Sequence, residues 1–225
     1  MGRSFIAGLL VMLSSATEVL PQSKEAYLSW SEDQAEKVGK SMRADGRAGG
    51  RFDFRVIRTE RAVNYKLRAT WLTPEVIRAT ARLEQIRRRL SDEQTMSLVA
   101  EAEAAGHTVV LVEIDPREGS GVIPLDWRAL LQVKDWKPGM SESIVGASTP
   151  ALKNTKALAG VFRRDYSYDV FWVVFPLVSD NGAPVFADSV REIELLVGIH
   201  EKEGTVSWTI PESIRQRARA LSSKK

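Results

Sequence analysis

The run DVFWVVFPLV, residues 169–178, is the most apolar stretch outside the N-terminus. As a strand it sends Phe171, Val173, Phe175 and Leu177 to one face, and Val170, Trp172, Val174 and Val178 to the other. Both faces are apolar, so the strand needs cover on each side and is predicted to lie centrally. Pro176 has no amide to give to a ladder, so pairing on one side should fail or bulge there.

Outward from this run, His107 to Ile114 repeats the pattern: Val109 and Leu111 oppose Val110, Val112 and Ile114. Val63, Tyr65, Leu67, Ala69 and Trp71 alternate with polar residues, which predicts a strand buried on one face and wet on the other. Between these strands lie two helix signatures. Thr73-Pro74-Glu75 offers a cap, a proline at the first position and an acid for the dipole. Val76, Ala79, Leu83, Ile86 and Leu90 then form an apolar stripe. Ser91 with Gln94 opens a second helix in a capping-box pattern, running to about Ala105, with Gly106 expected as a left-handed cap.

Downstream, Asn181-Gly182 predicts a turn. Ile193 to Ile199 and Thr205 to Ile210 predict a hairpin, with Gly204 suited to a left-handed position at its turn. Pro211 to Leu221 suggests a short basic helix. Arg51 to Arg58 and Ala157 to Arg163 are further strand candidates, Leu125 to Val133 is a short helix or strand, and Lys134 to Pro150 reads as a surface loop. Strands, a helical pair and strands again predict an α+β fold: a mainly antiparallel sheet with an αα-hairpin on one face. A β-sandwich carrying a helical insertion is the alternative.

The N-terminus suggests a destination. Arg3 precedes the nine-residue apolar run Phe5 to Leu13, and Ser14-Ser15-Ala16 supplies small residues. This is the layout of a secretory signal peptide over 1–16. The run is shorter than the roughly 20 residues a membrane span needs, so no transmembrane span is expected in the mature chain. Residues 17–50 read as a linker and weak helical arm, 51–221 as one α+β domain, and 222–225 as a tail. Retained, the first segment would instead hold a peripheral membrane protein. Export without cysteine suits a periplasmic or extracellular, bacterial-type setting.

Composition narrows the chemistry. The 225 residues hold 32 basic and 29 acidic side chains, a net charge of +3. So near a balance does not mark a nucleic-acid binder. Absence of cysteine excludes disulfides, thiolate metal sites and a cysteine nucleophile, and two histidines exclude a three-histidine site. No cofactor and no metal is expected.

The loop 115–121, DPREGSG, follows a buried strand, where active loops often sit. Arg117 with the amides of Gly119 and Gly121 can hold an anion. Glu113 and Asp115 are two apart on one strand face, as paired carboxylates require, and burial would raise the pKa of Glu113. With Ser120 they are the candidate catalytic residues of a hydrolase-like enzyme. The loop matches neither a phosphate-binding loop nor a nucleophile elbow, and it reads first as an ordinary charged turn. His200, Glu201 and Glu203 lack the second histidine of a zinc helix, and His107 suits hydrogen bonding at a helix end. Arg82 and Arg87 to Arg89 form the densest basic cluster and fit a solvated helix face. The leading expectation is an exported, non-catalytic binding module with an envelope or extracellular partner.

Overall fold

The computed structural model describes residues 25–49, 64–115, 123, 126–135, 143–148 and 169–223. The signal-peptide segment, the strand candidates 51–58 and 157–163, and loop residues 116–121 lie outside the described residues. The fold is α+β, built from two antiparallel sheets, with four α-helices among the described residues.

Strand β7 (Asp169–Phe175) pairs along its whole length with β3 (Thr108–Asp115). On its other side, Val173 and Val174 pair with β6 (Ala147–Ser148). Beyond β3 lie β2 (Asn64–Leu72) and β1 (Arg43–Gly49), giving the order β1-β2-β3-β7-β6. The strand stops before Pro176, as its missing amide dictates. Its faces divide as the alternation requires. Val173, Phe175 and Leu177 enter one core, while Trp172 enters another with Val170 and Val174 packed against it.

The first core is closed by the second sheet: β5 (Ile144–Val145), β4 (Arg128–Val133), β8 (Glu192–Ile199) and β9 (Lys202–Thr209), in that order. Ile193, Leu195, Val197 and Ile199 are fully buried against Leu67, Val110 and Phe175. Trp71 and Trp208 meet across the sheets with ring centroids 5.8 Å apart. The second core is covered by α2 (Pro74–Arg88) and α3 (Asp92–Ala104), which press Val76, Ile77, Ala81 and Val99 onto Leu72, Val109, Leu111 and Trp172. The layers are therefore helix, sheet, sheet.

Helix starts follow local chemistry. The Thr73 hydroxyl accepts from the Val76 amide, and Ser91 and Gln94 form a reciprocal capping box. Arg89 turns the chain between α2 and α3 in the left-handed region, φ 55°. The expected stripe of α2 holds at Val76 and Ala79 and shifts beyond them: Ile77, Ala81, Glu84 and Gln85 are buried, while Leu83 and Ile86 are half-buried. Buried Glu84 is charge-compensated by Arg87 at 2.9 Å and Arg88 at 2.8 Å, so part of the basic cluster serves the helix itself.

Several expectations change. Residues 25–49, read as a weak arm ahead of the domain, supply a 3-10 turn (Ala26–Ser29), α1 (Glu32–Lys40) and the edge strand β1. The Met42 carbonyl accepts from both the Trp71 amide and the Trp208 indole, at 3.0 Å each. The stretch 134–150, read as a surface loop, contributes β5 and β6, and Gly146 between them carries the chain from one sheet to the other. A Cβ on Gly146 would overlap Val173 and Phe175. Neither Gly106 nor Gly204 is left-handed; His200 takes that role in the β8–β9 turn, φ 54°. Both glycines answer to space: a Cβ on Gly106 would stand 2.7 Å from Val174 Cγ1, and one on Gly204 would overlap the Arg47 carbonyl. The polar face of β2 is wet only in part, because Asn64, Thr70 and Leu72 on it are buried.

Candidate functional site

Glu113 and Asp115 share the helix-side face of β3 and are 3% and 5% exposed. Pairing register places each in a row of charges across three strands. Asp45, Arg68 and Glu113 make one row, and Arg47, Lys66 and Asp115 the next. Arg68 Nε meets Asp45 Oδ1 at 3.0 Å, and Lys66 Nζ meets Asp115 Oδ2 at 3.6 Å. Cross-strand pairs of opposite sign stabilise a sheet by a few tenths to about 1 kcal/mol each. The two carboxylates thus stand in an ion-pair ladder on the sheet face. Arg117, Gly119, Ser120 and Gly121 lie outside the described residues.

The histidines stand apart from this ladder. His107, six residues before Glu113 on an extended chain, is roughly 20 Å from it. Its Nδ1 accepts from the Leu177 amide at 3.3 Å, which ties the end of α3 to the chain leaving β7. His200 is exposed in its hairpin turn. Among the described residues no three His, Asp or Glu side chains gather in a way that would hold a metal.

A different site is assembled by packing. The C-terminal helix α4 (Glu212–Ser222) is anchored by Ile214, which is 2% exposed. Along one flank of α4 runs a hollow of about 250 Å³ bordered by Leu177, Phe186, Asp188 and Arg219. Along the other flank an open groove of about 860 Å³ lies between α4, the start of α2, the end of α3 and the turn at 26–30. One bank is aromatic: Tyr27 and Trp30 stack edge-on, centroids 6.5 Å apart, and Arg82 Nε fixes the Trp30 carbonyl at 2.8 Å. Pro74, Ala100, Ala104 and Ala220 keep the groove clear of large side chains.

The polar groups of the groove engage one another. Arg78 Nη2 donates to Glu103 Oε1 at 3.0 Å, and the Ser213 hydroxyl donates to Glu75 Oε2 at 2.8 Å. Arg217 Nη2 donates to the carbonyls of Glu103 and Gly106, the latter at 2.8 Å. Helix α3 has acidic residues in its first turn and no basic residue in its last. Arg217 therefore supplies from α4 the cation that the negative end of α3 favours. Burial lowers the Arg217 pKa, the Glu103 charge opposes that shift and the Arg78 charge adds to it. Burial also pushes the Tyr27 phenol up, against the nearby positive charge of Arg78.

None of these groove residues was a site candidate in the sequence, since they come from four elements spread over residues 26–221. One signal was present. Ser213, Gln216, Arg217 and Ala220 recur at spacings of three, four and seven on α4, beside the apolar positions Ile214, Ala218 and Leu221. Compared with protein-family models, curated proteins and solved structures, the chain matches none, so the reading of its site rests on this geometry alone.

Proposed function

We propose that the chain is an exported, non-catalytic binding module of the cell envelope or exterior, and that it holds a polypeptide partner in the groove beside α4. The groove carries the reading. It is large enough for several residues of a peptide and pairs an aromatic bank with convergent hydrogen-bonding groups, the usual composition of a binding cleft. Its carboxylates are engaged by Arg78 and Ser213, and neither histidine lines it. That favours recognition over acid–base chemistry. Export rests on the sequence of residues 1–16.

Ala104 is exposed on the groove wall, so Ala104→Arg fills the cleft without entering the core. Thr205, exposed on β9 outside the groove, provides the control Thr205→Arg. A partner captured from the envelope fraction by the wild type and by Thr205→Arg should be lost from Ala104→Arg. Retention of the same partner by Ala104→Arg overturns the groove as the site. N-terminal sequencing of the exported protein should begin at Thr17, and an intact Met1 start would overturn cleavage.

A further inference from the structure

We infer that the groove recognises a carboxylate on its polypeptide partner, through the guanidinium groups of Arg78 and Arg217. This rests on the groove reading above and specifies its ligand. Both cations converge on one residue: Arg78 takes the Glu103 side chain and Arg217 takes the Glu103 carbonyl. The Glu103 carboxylate bonds Arg78 and acts on Arg217 only through its charge, so one carboxylate stands beside two positive charges. Glu75, the other acid on the groove wall, accepts from Ser213.

A guanidinium carries five N–H donors in a planar fork. Both Arg217 bonds leave from Nη2, so Nε and Nη1 keep donors unused by any bond among the described residues. Arg78 likewise spends only Nη2. Half-buried Arg217 has lost part of its water shell, spends its hydrogen bonds on neutral carbonyls, and shares the nearby Glu103 charge with Arg78. A ligand carboxylate supplies the missing negative charge and matches the fork with two parallel bonds. The carboxylate can be a chain terminus or an acidic side chain.

The test uses the full chain and three peptides: N-acetyl-trialanine with a free carboxyl end, its C-terminal amide, and N-acetyl-Ala-Glu-Ala amide. Binding is followed by NMR at the arginine Nε–H signals and the amides of α3 and α4. The two acidic peptides should shift the Arg78 and Arg217 signals and the neutral amide should not; the tighter acidic peptide identifies the source of the carboxylate. Arg78→Gln should weaken binding at least tenfold, and Arg219→Gln, on the opposite flank of α4, should leave it unchanged. Glu103→Gln removes the internal competitor and should tighten binding, a result that loss of folding cannot mimic. Equal response to acidic and neutral peptides, no response at either arginine, or unchanged or weaker binding by Glu103→Gln overturns the inference. A groove that ignores all three peptides but still loses its captured partner on Ala104→Arg removes the carboxylate and leaves the binding-module reading standing.

Discussion

Gly204 of β9 lies so close beneath the Arg47 carbonyl of β1 that a single added carbon would overlap it. Gly46 makes the reciprocal approach, since a Cβ there would stand 2.8 Å from the Thr205 carbonyl. At this corner the two sheets touch backbone to backbone. Gly204→Ala should therefore destabilise by about 1–3 kcal/mol, the usual cost of overpacking. Its φ is not left-handed, so the loss reports contact and not backbone strain. Urea denaturation measures it, and an unchanged midpoint would show that the sheets part easily.

The obstacle at Gly106 is of another kind. The atom it would meet is the end of a side chain, Val174 Cγ1, and not a carbonyl. Gly106→Ala alone should cost about 1–3 kcal/mol. In a Val174→Ala background the same change should cost clearly less, because neighbouring residues couple. A double-mutant cycle on unfolding free energies gives the coupling; strict additivity would contradict the contact.

Helix α1 tests whether the first described residues belong to the cooperative unit. Ser31 and Gln34 cap it reciprocally, at 3.2 and 2.9 Å, and Gly39 faces Ala79 of α2 with room for an ordinary contact. Ser31→Ala should lower global stability by about 1 kcal/mol. If amide exchange shows only local fraying of 32–40 while the global midpoint stays, α1 is an appendage.

Alkaline unfolding should involve Tyr27. Burial raises its pKa above the ordinary 10.0, so the folded state holds the proton more tightly than the unfolded chain does. That contribution is complete below about pH 10 and is lost as pH rises through the folded value. Tyr27→Phe should make the fall in urea midpoint between pH 9 and 11.5 shallower. Tyr65, raised by the same cause, keeps part of the slope. An identical slope in both proteins would contradict the assignment.

Side-chain pattern explains what could be read in advance. The two faces of β7, the caps at Thr73 and Ser91, and the hairpin of β8 and β9 are local features, each written in consecutive residues. Strand β1 was hidden because its sequence, RADGRAG, buries only Ala48; Gly46 answers a distant strand. Strands β5 and β6 are two residues each, too short to show a period. The carboxylate pair was visible at positions 113 and 115, but its partners Lys66 and Arg68 are set by register. The groove depends on where α4 docks, and Arg217 gains its meaning from carbonyls more than a hundred positions away in the chain.

Gly146 and the Gly46–Gly204 corner have a consequence for the material between the sheets. At one place the chain itself fixes their separation, and at the other main chain already rests on main chain. Neither spacing can shrink to follow a smaller core. A truncation midway, such as Leu195→Ala, should leave its void unfilled and cost the upper part of the 2–5 kcal/mol range found for buried leucines. The interior behaves as a frame of set width, whose filling must match it.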